Sequence, residues 1–155
     1  MNAITADPTA APVASGKTPR VLYADDLEEL RDVMRLSLAR EGYTVDCAPD
    51  GQVAYERIAA EPDVFDLLIT DHHMPNMDGL ALVMAVRELP FRGKIMVFSS
   101  ELDAEVATVY RRLKVDHLLY KPVYPSVLRQ VLTDLGLPSR ATSASNVAPV
   151  LRAAS

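Results

Sequence analysis

The chain has 155 residues, 49% of them hydrophobic and 24% charged, which suits one folded domain with a sizeable core. Its formal net charge of -5 argues against direct binding to nucleic acid, where phosphates must be met by Lys and Arg. The single cysteine, Cys47, excludes an internal disulfide, and no apolar run approaches the ~20 residues needed to cross a bilayer. Cys47 sits in an alternating apolar stretch and reads as a small packed hydrophobe rather than a reactive thiol. The N-terminus has no basic region leading into an apolar core, so the expected location is cytoplasmic.

Residues 1–18 and 138–155 are rich in Ala, Ser, Thr and Pro and show no period, so both are expected to be flexible tails around one domain over 19–137. Within that domain the first strand is predicted at Arg20–Ala24. A helix follows, with Leu27, Leu30, Met34 and Leu38 on one face. Further strands are predicted at Tyr43–Cys47, Phe65–Thr70, Lys94–Ser99 and His117–Tyr120. The helix Leu80–Leu89 between the third and fourth strands is unusually apolar, so an exposed portion of it is a candidate surface for a partner or a homodimer. Val106, Val109, Tyr110 and Leu113 mark the face of the next helix; Val127, Leu128, Val131, Leu132 and Leu135 mark the last. Gly42, Pro62, Pro90, Gly93, Pro122 and Gly136 punctuate the boundaries. The runs VLYA, LLIT and IMVFS are apolar nearly throughout, as strands covered on both faces should be. Five β–α repeats imply a parallel sheet between two helical layers, and such sheets bind ligands at the carboxyl ends of their strands.

At those ends stand Asp25 and Asp26 after the first strand and Asp71 after the third. Ser99 and Ser100 end the fourth, and Lys121-Pro122 follows the fifth, where a cis peptide bond suits the turn. Three crowded carboxylates repel one another unless a cation lies among them. Mg²⁺ prefers oxygen ligands, so Asp26 and Asp71 would bind it directly and Asp25 through water. A carboxylate beside Mg²⁺, with an ammonium and a hydroxyl nearby, suits phosphoryl transfer. Asp71 would then be the nucleophile, Ser99 would donate to a phosphoryl oxygen, and Lys121 would pair with Asp71 before the reaction and with phosphate after it.

This pattern resembles the bacterial response-regulator receiver domains. The resemblance is carried by Asp25-Asp26, by Asp71 followed by Met74-Pro75 and Met77-Asp78-Gly79, by Ser99 after IMVF, and by Lys121-Pro122, over about residues 19–137. It implies a flavodoxin-like (βα)5 sandwich with a five-stranded parallel sheet in the order 2-1-3-4-5. It implies phosphorylation of Asp71 by a histidine kinase or a histidine phosphotransfer protein, with the backbone carbonyl of His73 completing the Mg²⁺ ligands. It also implies signalling through a protein target at the face made by helix four, strand five and helix five, about Asp103 to Leu135, with no nucleic acid or membrane involved. Enzymatic activity would be limited to self-phosphorylation from small phosphodonors and self-dephosphorylation. His73 and Glu101 occupy positions that tune phosphate lifetime in the family.

Three positions depart from the family pattern. Leu118 stands at the switch position, where many members carry Tyr or Phe; Tyr120 is set aside as a substitute on strand alternation. Lys114 and Val115 replace a frequent Gly-Ala, so that turn is expected to differ. The competing readings are a relay shuttle between histidine-bearing proteins, an aspartyl-phosphate phosphohydrolase and an FMN binder. The phosphohydrolase lacks its second acid, because His72-His73 follow Asp71. The FMN binder would need a phosphate cradle where this chain has Asp25-Asp26.

Overall fold

The computed structural model describes residues 16–139; of the expected tails 1–18 and 138–155, residues 1–15 and 140–155 lie outside the described residues. Ten elements alternate along the chain: β1 (Arg20–Ala24), α1 (Glu28–Arg40), β2 (Thr44–Ala48), α2 (Gly51–Ala60), β3 (Leu67–Thr70), α3 (Gly79–Arg87), β4 (Lys94–Ser99), α4 (Ala104–Arg112), β5 (His117–Tyr120) and α5 (Pro125–Asp134). The strands form one parallel sheet in the order β2-β1-β3-β4-β5, as expected. β2 is shifted one residue and β3 begins two residues later than the apolar pattern suggests.

Strand alternation divides the core into two layers. On one side Val21, Tyr23, Leu67, Ile69, Met96, Phe98 and Leu119 meet Met34 and Leu38 of α1 and Val131 and Leu132 of α5. On the other, Leu22, Ala24, Leu68, Ile95 and Val97 meet α2, α3 and α4 through residues such as Ile58, Leu82, Val83 and Tyr110. Two residues assigned from periodicity to inward helix faces are in fact exposed: Leu27, which is the N-cap of α1, and Val127 of α5. Met84 is the exposed large side chain of the apolar helix α3.

Helix starts are specified locally. Asp50, Asp78 and Asp103 each accept a backbone N–H from the first turn of α2, α3 and α4. The α4–β5 turn does differ: Lys114 adopts a left-handed φ of 58°, and the Arg87 guanidinium donates to the carbonyls of Leu113 and Lys114 at 2.9 and 2.7 Å. At the chain's far end Ser139 is buried and donates to Glu41, so the folded contacts run two residues past the expected boundary at 137. No helix among the described residues is long and apolar enough to cross a membrane.

Candidate functional site

The carboxyl ends of β1, β3, β4 and β5 bring together the residues singled out from sequence. Asp25, Asp26 and Asp71 each offer a carboxylate oxygen, all within 4.8 Å of one another. Asp25 is fully buried, Asp71 nearly so, and Asp26 is exposed. Lys121 enters from the β5–α5 turn, whose Lys121–Pro122 bond is cis. Its ammonium lies 2.8 Å from Asp25 Oδ2 and 3.8 Å from Asp71 Oδ2. The close partner is therefore Asp25 rather than Asp71. The physical reason is burial: Asp25 has no exposed surface, and a buried charge must be paired. The Lys121 ammonium also sits 5.2 Å over the Phe98 ring.

Asp25 has further partners that the sequence reading missed. The Tyr23 hydroxyl donates to Asp25 Oδ2 at 2.6 Å, and the Leu27 N–H donates to Oδ1 at 3.0 Å. Arg31 donates to the Asp25 carbonyl at 2.8 Å. The legible signal was spacing: Asp25 directly follows β1, two residues after Tyr23, a step that keeps extended side chains on one side. Burial, followed by the Asp25 hydrogen bond, pushes the Tyr23 hydroxyl far above the usual tyrosine range, so it stays a donor.

Asp71 is the less balanced carboxylate. Burial raises its pKa against the opposing effects of Lys121 and of the His72 N–H, which donates to Oδ1 at 2.8 Å. Asp25 adds to the rise, and the Ser99 hydroxyl works against it. Ser99 is itself fully buried and also donates to the Glu101 carbonyl at 3.3 Å.

The loop after β3 is held from three directions. The Gly79 N–H donates to the His72 carbonyl at 2.8 Å, and a Cβ at Gly79 would overlap the Asp71 carbonyl oxygen. This is a steric reason for glycine eight residues after Asp71. Asn76, with φ of 66°, donates to the carboxylate of Asp50, which also caps α2. A Cβ at Gly51 would overlap the Met77 carbonyl oxygen. His72 Nδ1 lies 2.7 Å from the Tyr110 hydroxyl of α4. Burial, with His73 adding to it, lowers the His72 pKa. The tie to Tyr110 had no sequence signal, since it depends on how α4 packs.

His73 and Glu101 line one shallow groove with Leu102, Val106 and Tyr120. Strand alternation does not separate Tyr120 from Leu118. Residues 118 and 120 are two apart and lie on the same side of β5, so Tyr120 reaches the α4 side beyond Leu118. Leu118 packs half-buried against the core beneath α4.

Oxygen donors thus cluster at the carboxyl edge of a doubly wound sheet, the edge at which sheets of this class bind their ligands. The family model for the response regulator receiver domain matches residues 21–133. The chain therefore belongs to the response regulator receiver domain family, whose members act as switches in two-component signalling. It is 36% identical over 120 residues to the chemotaxis protein CheY1 of Helicobacter pylori, covering 73% of this chain and 93% of that protein. It is 30% identical over 137 residues to the sensory/regulatory protein RpfC of Xanthomonas campestris, covering 84% of this chain but only 19% of RpfC. The chain thus spans about a fifth of the length of that relative. Among solved structures, chemotaxis protein CheY4 of Vibrio cholerae matches with a TM-score of 0.70 at 28% identity, over 77% of this chain and 99% of that one.

Proposed function

We propose that the chain is a phosphorylation-dependent switch that accepts a phosphoryl group on Asp71 and signals through protein–protein contact. The observation that carries this reading is the cluster of three carboxylates, Asp25, Asp26 and Asp71, with one ammonium, Lys121, at its edge. Three carboxylates against one nearby cation leave excess negative charge, and an all-oxygen donor set suits Mg²⁺. Asp26, Asp71 and the His73 carbonyl would hold the ion, with Asp25 acting through water. The ion, when bound, neutralises charge on the phosphoryl oxygens.

A phosphohistidine on a histidine kinase or a phosphotransfer protein is the proposed donor. An Asp71 carboxylate oxygen attacks phosphorus, the P–N bond breaks, and the imidazole leaves with a proton from solvent. Lys121, already within 3.8 Å of Asp71, turns toward a phosphoryl oxygen, and the Ser99 hydroxyl donates to another. Drawing Ser99 inward moves the segment to Asp103, where α4 begins, and so alters the face from Asp103 to Leu135, with Leu118 beneath it. His73 and Glu101 stand beside the path of an attacking water. His73→Ala and Glu101→Ala are therefore expected to change the dephosphorylation rate severalfold; unchanged rates remove them from that role.

The test is intact mass after incubation with phosphoramidate, with and without Mg²⁺, beside Asp71→Ala. A gain of one phosphoryl group that needs Mg²⁺ and disappears in the variant is expected. A gain that persists in Asp71→Ala refutes the assignment. A second reading is a relay intermediate, for which rapid back-transfer from Asp71 to a histidine protein is the distinguishing result.

A further inference from the structure

The face opposite α3 and α4 carries an apolar groove. α1 and α5 lie side by side on the sheet, and between them opens a cavity of about 480 Å³ lined by Leu30, Val33, Met34, Phe98, Leu128 and Leu132. Val33 is 60% exposed, and Leu36, one turn along α1, is equally exposed. Helices here run antiparallel to the strands they follow, so the groove has an upper end near Lys121 and Pro122 and a lower end at Arg40 and Glu41.

The described chain finishes at that lower end. The Ser139 hydroxyl donates to the Glu41 carboxylate at 2.6 Å and to its carbonyl at 3.0 Å. Arg129 of α5 grips the same carboxylate at 2.6 Å, and the Tyr43 hydroxyl donates to the Leu137 carbonyl. Arg129, then Ser139, hold the Glu41 carboxyl below the usual range, so this fastening keeps its charge. The described residues therefore stop at the mouth of the groove.

The apolar run in residues 140–155 suits the apolar lining of the groove. Seven residues, 140–146, lead into Val147-Ala148-Pro149-Val150-Leu151, and Arg152 follows at once. There is no Asp or Glu among residues 140–155. Seven extended residues span about 23 Å, and the 13 residues of α1 rise about 20 Å, so the apolar run can reach any level of the groove. α1 begins with Glu28 and Glu29 at the upper end, where Arg152 would arrive. Pro149 favours an extended backbone, and a tether this short gives a high effective concentration.

We propose that Val147–Leu151 of the same chain lies in the α1–α5 groove as a strap, with Arg152 toward Glu28 and Glu29. Any protein that uses the α1–α5 face must then displace the strap first, which lowers its apparent affinity by the fraction of open chains. The test is paramagnetic broadening in the full chain, with Cys47→Ser and a nitroxide on Ala154→Cys. Selective loss of the Val33, Leu36 and Leu128 amide signals is expected. The loss should vanish when Val147→Asp and Leu151→Asp are added; both lie outside the packed domain and leave its spectrum otherwise intact. No selective broadening, or broadening that survives the two aspartates, overturns the strap. Equal broadening of unlabelled ¹⁵N chains mixed with labelled unenriched chains also overturns it, because the occupant is then a second copy.

Discussion

Where the strands begin, each carboxylate has its own partner. Asp46 receives the Arg20 guanidinium at 2.7 and 3.0 Å. Asp66 accepts the Arg20 N–H at 2.8 Å, and Asp116 accepts the Ile95 N–H at 2.8 Å with Lys94 3.7 Å away. Where the strands end, Asp25 and Asp71 share the ammonium of Lys121, and an Asp26 carboxylate oxygen lies within 4.8 Å of theirs. The same residue type thus does opposite work at the two ends. One end uses acids to accept strand N–H groups and to pair with Arg20 and Lys94. The other concentrates acids beyond what the protein neutralises, and that imbalance is what a cation and a phosphoryl group can relieve.

Breaking an ion pair at each end should expose the difference. Lys121→Met strands the fully buried Asp25 and is expected to cost ~3–5 kcal/mol in denaturant unfolding. Lys94→Met, at a half-exposed pair, should cost no more than ~1 kcal/mol; equal costs would erase the contrast. Adding Mg²⁺ at about a hundredfold its dissociation constant should stabilise the protein by ~2.7 kcal/mol, and Asp26→Ala should abolish most of that gain in a thermal melt.

The smallest expected effect tests the Asp71 environment without metal. Burial raises the folded pKa of Asp71 above its unfolded value, so the ionised form is disfavoured in the fold. Asp71→Asn should therefore raise the melting temperature at neutral pH. The advantage is absent below about pH 4, grows as pH rises through the folded pKa, and then levels off. A variant less stable than the parent at neutral pH would mean that Lys121 outweighs burial.

Element type and sheet order were legible because the signals were local and repeated. Buried strands such as LLIT leave few alternatives to a strand covered on both faces, and β–α alternation limits the topology. The site was legible as a set of positions because each member ends a strand. Its pairing was not. Whether Lys121 chooses Asp25 or Asp71 depends on relative burial, which emerges only after packing. Leu27 has the right helical phase but lies at the N-cap, beyond the reach of the sheet, so periodicity overstated its burial. Tyr120 was misjudged through the strand rule itself, since a two-residue step preserves the side.

Arg87 has a mechanical consequence. Its guanidinium clamps the end of α3 to the two carbonyls that close α4, at the edge of the sheet farthest from Asp71. At the other end of α4, the helix begins at Asp103, a few residues past Ser99. If phosphorylation of Asp71 shifted the segment after Ser99, a helix pinned at Leu113–Lys114 would act as a lever with its fulcrum there. The Asp103 end of α4 would then sweep the widest arc, while the far end kept its registration with α3.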